Sequence, residues 1–288
     1  MGKLEICDVS YIYGKDTPFE KLALDRANAQ FGDNCITGLI GHTGCGKSTL
    51  VQLLNGLLVP TRGKVLLDGQ DINAKGVNRR ELRFRVGLVF QYPEYQLFEE
   101  TVQADIAFGP KNMGLSNEET ARRVLSALSF VGLDETLLTV SPFDLSGGQK
   151  RRVAIAGVMA MQPEVLILDE PAAGLDPVGR EEILGGIKSY QRARNSSVII
   201  VSHSMEDMAR YSDNIVVMSH GTVTAQGTCR EIFSNHELLT DAGLSIPQVT
   251  AFLAALRKKG VDVSSDIFTV DDAVKEIRSY MMRERNRA

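Results

Sequence analysis

The sequence predicts an α/β fold built on a mostly parallel sheet. Three observations carry that prediction: short Val/Ile/Leu runs recur along the chain, amphipathic helical patterns separate many of them, and one run leads directly into a glycine-rich loop and a helix. The strand-type runs are Leu4–Val9, Cys35–Ile40, Lys64–Leu67, Val86–Phe90, Val165–Leu168, Val198–Ser202 and Ile215–Met218. Helical spacing over Lys47–Leu58 puts Leu50, Val51, Leu54, Leu57 and Leu58 on one face, with Pro60 as the stop. Glu118–Phe130 repeats the pattern through Val124, Leu125 and Leu128.

Between Gln91 and Pro163 strand signals give way to helical ones, which reads as a helical subdomain inserted at about 91–163 within a main domain of residues 1–220. Residues 221–288 change character and read as a C-terminal association region. There Ser245-x-x-Gln248, with Pro247 at the first helical position, opens one helix that Gly260 closes. Thr269-x-x-Asp272 opens another, with Ala273, Val274 and Ile277 on one face and Arg278, Arg283, Arg285 and Arg287 towards its end.

Composition removes several function classes. The 288 residues carry a net charge of −4, with no Trp and 6% aromatics, so neither a basic field nor stacking platforms point to nucleic acid. Cys7, Cys35, Cys45 and Cys229 form no C-x-x-C pair and do not cluster with the four histidines at metal-ligand spacing, which suits free thiols in a reducing compartment. No signal-peptide run opens the chain, and its longest apolar stretch, Val153–Met161, falls far short of the ~20 residues that span a bilayer. Any membrane contact is expected to come through partners.

Gly41-His42-Thr43-Gly44-Cys45-Gly46-Lys47-Ser48 has the form G-x-x-x-x-G-K-[ST], between a strand and a helix that begins Lys47-Ser48-Thr49. Glycines let successive N–H groups close round an anion, and the helix N-terminus adds its positive end. Lys47 then reaches the β- and γ-phosphates of ATP, and Ser48 ligates Mg²⁺. The strand Val165–Leu168 ends in Asp169 and Glu170. Strand alternation gives the two acids different jobs: Asp169 on the Mg²⁺ side, Glu170 as general base for water. Leu145-Ser146-Gly147-Gly148-Gln149 precedes an apolar helix and offers a second set of donors at a helix start, about a hundred residues from the first.

That pentapeptide resembles the signature of the ABC ATPase family. The resemblance implies a P-loop NTPase core with a mostly parallel sheet, an antiparallel β subdomain, a helical insertion and a small C-terminal association region. It also implies that Ser146, Gly147, Gly148 and Gln149 cap the γ-phosphate bound in a partner's loop, so that two ATPs are sandwiched between two subunits. Gln91 resembles the Q-loop glutamine near Mg²⁺ and water, and Ala173-Gly174-Leu175-Asp176 resembles the D-loop. His203 resembles the switch histidine that assists at the γ-phosphate. Tyr13 resembles the aromatic that stacks on adenine, with Tyr11 a close competitor.

Finer matches run nearly end to end. Pro18-Phe19-Glu20, Gln91-Tyr92-Pro93-Glu94-Tyr95-Gln96-Leu97-Phe98, Thr101-Val102, Ala107–Asn112, Ile246–Val249 and Phe268–Ala273 resemble the ATPases of energy-coupling factor transporters, which import vitamins, nickel or cobalt. The Tyr-Pro-Glu-Tyr-Gln string resembles their A-prime ATPase. This implies a heterodimer with an A-type sibling, and a transmembrane T subunit docking near residues 92–100, with Glu94, Glu99 and Glu100 as acidic candidates at that contact. Membrane-embedded substrate-binding subunits would complete the assembly, placing the chain peripherally at the cytoplasmic face of the cell membrane. Two alternatives remain from sequence alone: the ATPase of a binding-protein-dependent importer, and a soluble ABC ATPase of cofactor assembly or DNA repair. The transported substrate is not legible.

Overall fold

The computed structural model describes residues 3–264 and 266–285. In chain order, the first half comprises β1 (Leu4–Tyr13), β2 (Lys21–Phe31), β3 (Ile36–Gly41), α1 (Lys47–Leu54), β4 (Arg62–Leu67), β5 (Gln70–Asp71), α2 (Arg79–Arg85), β6 (Val86–Val89), α3 (Val102–Asn112) and α4 (Asn117–Phe130). Then follow α5 (Gly147–Ala160), β7 (Val165–Asp169), α6 (Pro177–Arg194), β8 (Ser197–Val201), α7 (Met205–Tyr211), β9 (Asn214–Ser219), β10 (Thr222–Thr228), α8 (Cys229–Ser234), α9 (His236–Asp241), α10 (Gln248–Lys258) and α11 (Val270–Arg285).

Six strands form one sheet in the order β10-β9-β3-β8-β7-β6, parallel except for the antiparallel β10. Strands β3, β6, β7 and β8 are buried at every residue, which is why their sequences are near-continuous apolar runs rather than alternations. Alternate residues feed two cores. Leu166, Leu168, Val198 and Ile200 face helices of the 91–163 insertion and beyond, whereas Ile167, Ile199 and Val201 pack with α1 and a second sheet.

That second sheet, antiparallel in the order β2-β1-β4-β5, contains the main element the sequence reading missed. In β2 the buried positions are Leu24, then Ala27, Ala29 and Phe31, so the period-two pattern slips a step around Arg26. Arg26 takes a left-handed φ of 46° there, and its N–H donates to Ser10 Oγ at 3.0 Å. A bulge of this kind keeps both halves of the strand facing the core while scrambling its sequence signature.

Several boundaries shift. Helix α1 stops at Leu54 rather than Leu58, because Gly56 turns left-handed (φ 72°) and the Asn55 side chain donates to Val86 O. Leu125 lies on the exposed side of α4, while Val124 and Leu128 are buried. Ser245 does not cap α10: Pro247 precedes the helix, and the Gln248 N–H donates to Glu206 Oε1 at 3.1 Å. Thr269 does serve α11, accepting from the Asp272 N–H at 3.3 Å. The expected break at 220–221 falls inside the β9–β10 hairpin. Ile232, Phe233, Leu239 and Ala242 of the following segments belong to the main core, because β10 needs cover on its inner face. A separate small core of Leu253, Val263 and Ala273 begins only with α10. Arg287 lies outside the described residues.

Two adjacent glycines in α6 offer a test of the packing. A Cβ on Gly186 would run into the Phe130 carbonyl at the end of α4, whereas one on Gly185 meets nothing within 4 Å. Gly185→Ala should therefore stabilise the fold by up to about 1 kcal/mol through helix propensity. Gly186→Ala should lose about 1–3 kcal/mol through overpacking. Urea unfolding of both variants checks the pair, and equal effects would contradict this contact.

Candidate nucleotide and hydrolysis site

The parallel strands end together at one edge of the sheet, and the loops that leave them build the site. The loop after β3 reverses over Gly41–Ser48 into α1. Gly44 and Gly46 are left-handed, with φ of 82° and 107°. At Gly41 a Cβ would collide with the Met218 carbonyl, and at Gly46 it would lie 2.8 Å from Ala23 O, so neither position admits a side chain. The Gly221 N–H, in the β9–β10 turn, donates to Cys45 O at 3.0 Å and braces the loop from behind. Lys47 Nζ donates to Gly41 O at 2.6 Å and His42 O at 3.0 Å, so its charge is held inside the loop.

Asp169 and Glu170 line the same cleft of 510 Å³ as Lys47 and Ser48. Simple strand alternation would have sent the two acids to opposite sides. Instead Glu170 leaves the extended conformation for a left-handed φ of 52°, while its N–H still donates to Val201 O at 3.0 Å. Such a conformation in a non-glycine residue costs on the order of 1–3 kcal/mol, and it is concentrated where a side chain must be aimed. Ser48 Oγ donates to Asp169 Oδ2 at 3.1 Å, and His203, directly after β8, meets Glu170 Oε1 through Nδ1 at 2.8 Å. Burial pushes the Asp169 carboxyl up, opposed by the Ser48 hydrogen bond, raised further by the Glu170 charge and lowered by Lys47.

Tyr13 and Gln91 also line the cleft. The Tyr13 hydroxyl lies 3.1 Å from Thr49 Oγ1; the residue is 40% exposed, and its ring stands perpendicular to that of Tyr11 with centres 4.8 Å apart. Tyr11 packs into the core between the sheets, so of the two it is Tyr13 that presents a face to the cleft. His42 and Cys45 are not among the residues lining the cleft: the His42 ring lies tilted beside His220 at 5.1 Å, and the Cys45 side chain is buried. All four cysteines are free thiols, and burial pushes that of Cys229 up to about 12. Lys21, Leu22 and Ala23 complete the cleft on β2 and were missed with that strand.

The second set of donors is not in this cleft. Ser146 caps α5, its Oγ accepting from the Gln149 N–H at 3.3 Å while its own N–H donates to Gln149 Oε1 at 3.0 Å. Asp176 caps α6 through the Gly179 N–H at 2.6 Å. Glu94, expected at a partner surface, is committed inside the chain to Arg151 at 2.7 Å.

A cleft of this size, with a glycine nest, a lysine and paired carboxylates at the strand ends, defines a nucleotide-hydrolysing cassette. The family profile described as ABC transporter matches residues 24–173. The chain is 51% identical over 283 residues (98% of this chain, 99% of the relative) to the energy-coupling factor transporter ATP-binding protein EcfA2 of Caldanaerobacter subterraneus subsp. tengcongensis. It is 54% identical over 275 residues (95% and 96%) to the EcfA2 of Clostridium acetobutylicum. Among solved structures, it is similar to cbiO1 from Clostridium perfringens, described as part of the ABC transporter complex cbiONQ, with a TM-score of 0.74 and 38% identity over 87% of this chain and 98% of that one. It is also similar to the cassette MJ0796, described as dimeric in a post-hydrolysis state bound to ADP and Pi (TM-score 0.69, 28% identity, 79% and 99% coverage).

The chain belongs to the ABC transporter family, as an ATP-binding subunit whose ATPase activity is coupled to transport. Within that family it groups with the energy-coupling factor transporter ATP-binding proteins of the A2 type. No helix among the described residues is long and apolar enough to cross a membrane.

Asp169 yields a prediction whose sign runs against the usual carboxylate case. Its folded pKa is raised, so the native state binds the extra proton and stability falls as pH rises from the unfolded pKa through the folded one. Asp169→Asn should therefore raise Tm at neutral pH in the presence of a chelator. That gain should fade as the pH is lowered below the unfolded pKa of about 3.9. A gain independent of pH would contradict the burial argument.

Proposed function

We propose that this chain binds ATP with Mg²⁺ and hydrolyses it at a joint with a second subunit, an A-type sibling, to drive uptake of vitamins or transition-metal ions. Gly147 and Gly148 carry this reading. Both have ordinary φ, a Cβ on Gly147 meets nothing within 4 Å, and one on Gly148 meets only Leu175 Cδ2 at an ordinary 3.6 Å. Glycine at two helical positions costs about 1 kcal/mol each against alanine. Nothing among the described residues requires them, which supports a requirement set by an outside group approaching the backbone. An N-cap serine followed by bare N–H groups suits a phosphate. This chain's own phosphate loop is a different cleft, which leaves the triphosphate of a partner's nucleotide.

Within the chain's own cleft, the main-chain nest and Lys47 suit the phosphates and the exposed face of Tyr13 suits adenine. Ser48, Asp169 and Gln91 are hard oxygen donors of the kind Mg²⁺ selects, and would hold the ion from one side. Bound there, the ion would neutralise charge on the phosphates. Glu170 accepts the proton of the attacking water, and His203, hydrogen-bonded to it, holds that carboxylate in place and contacts the γ-phosphate. Asp176 belongs to the loop that would run along the joint.

Membrane contact would come through partners. Leu97, Phe98, Phe108 and Met161 line an apolar groove of 280 Å³ beside residues 92–100, with Phe98 and Phe108 edge to face at 4.9 Å. This groove suits a helix of a transmembrane T subunit, with membrane-embedded substrate-binding subunits beyond it. Glu100 is exposed and Glu99 half-buried, so the acidic contact falls to them rather than to Glu94. The chain would sit peripherally at the cytoplasmic face of the cell membrane, away from nucleic acid.

Affinity purification from detergent-solubilised membrane tests the assembly: a sibling ATPase and a T subunit should co-elute. Recovery with a soluble or lipid-anchored binding protein, or with no membrane protein, would reject the reading. Glu170→Gln should bind ATP normally, accumulate as an ATP-loaded dimer with the sibling, and hydrolyse at least about a hundredfold more slowly. Turnover near the wild-type rate would remove Glu170 from the base role. Gly147→Ala should leave Tm unchanged or slightly higher yet reduce ATPase at least about tenfold, because it blocks a phosphate contact and nothing else. Full activity in that variant would refute the shared site.

A further inference from the structure

Arg151 is a charged residue in the interior, 5% exposed, one helical turn beyond the Ser146 cap on α5. Its guanidinium is divided between two other segments. Nε and Nη2 grip both oxygens of Glu94 at 3.1 and 2.7 Å, while Nη1 donates to the Ala173 carbonyl. The guanidinium carbon also lies 5.8 Å from the centre of the Tyr92 ring. Burial pushes the Glu94 carboxyl up, but the Arg151 hydrogen bond, a hydrogen bond to its own backbone N–H and the Arg151 charge more than offset it, so it is held below its ordinary value.

Each of the three segments carries a group of the hydrolysis machinery. Tyr92 and Glu94 follow Gln91 of the cleft, and Tyr92 is fixed in a left-handed conformation at φ 56°. Helix α5 begins at the Ser146–Gly148 donors. Ala173 follows Glu170 by three residues, and its N–H donates to Glu170 O at 3.2 Å. A planar fork suits this task, since its donors point in fixed directions and one group can hold a carboxylate and a carbonyl together. Burying such a pair contributes little net stability over an apolar pair of similar volume, and its best-attested use is to fix a geometry.

We infer that Arg151 is a positioning residue: it ties the segment after Gln91 to the loop after Glu170, so that movement of residues 92–98 shifts the backbone beside the catalytic carboxylate. The inference rests on Glu170 being the base. It gives the apolar groove at Phe98 a physical path to the chemistry, through Glu94, Arg151 and the Ala173 carbonyl. The coupling crosses three segments that are far apart in sequence yet joined by one side chain.

Two measurements on the full chain with its sibling separate this role from a structural staple. The double variant Glu94→Gln/Arg151→Met removes both charges, so it should melt above either single variant and keep its ATP Kd within about twofold, yet lose kcat about tenfold or more. A staple would recover kcat along with Tm, and that result overturns the inference. Hydrogen exchange supplies the second readout. Glu94→Gln alone should speed exchange of the amides of residues 172–176 about tenfold, although the hydrogen bonds and ion pair of the Glu94 carboxylate go to Arg151. Unchanged exchange there also overturns it. A wild-type protein that failed to hydrolyse ATP would count against the proposed function, while the exchange result would still decide the link.

Discussion

The site depends on the register of the parallel sheet. Leu39 of β3 pairs with Val201 of β8, and Leu168 and Asp169 of β7 pair with Ile200 and Val201. These pairings bring the phosphate loop, Asp169–Glu170 and His203 out at the same height, with Gln91 arriving from β6 through its pairing with β7. Because side-chain direction alternates along a strand, slipping one pairing by a single residue would turn every buried Val, Ile and Leu of that strand to the wrong core. The two cores therefore lock the register, and the register places the chemistry.

Electrostatics adds a second constraint. Asp169 and Glu170 are adjacent carboxylates at a largely buried edge, and the structure gives them different partners: Ser48 for one, His203 for the other. The left-handed turn at Glu170 brings the second acid into the cleft. Burial makes the charged form of Asp169 unfavourable in the free chain, so a cation bound beside it would gain from relieving that cost. A site that is uncomfortable by itself is poised for its ligand.

Two glycine-bearing helix starts divide the chain's surface. One is completed internally by a lysine and two carboxylates. The other, at Ser146–Gly148, has a helix start and bare backbone but no catalytic groups beside it in the same cleft. Arg151 lies just inside that helix and reaches into the segments on either side of the first site. The fold thus joins the helix start at Ser146–Gly148 to the cleft at the strand ends.

The parallel strands, the phosphate loop, the carboxylate pair and the signature were legible because each is local: an unbroken apolar run, or a short spacing whose backbone geometry only glycine permits. The same locality explains the limits. Strand β2 was hidden because its bulge at Arg26 shifts the alternation, and the lining residues Lys21–Ala23 went unseen with it. Tyr11 and Tyr13 are interchangeable in sequence, and only the packing between the sheets puts Tyr13 rather than Tyr11 on the lining of the cleft. Glu94 reads as a surface acid until Arg151, 57 residues away, is found beside it. The sequence by itself determined which chemical groups are present and which turns they occupy, since those follow from neighbouring residues. Only the tertiary structure decided which groups face the cleft, which are held by internal partners and where the core ends, because those depend on contacts between segments that no short-range pattern records.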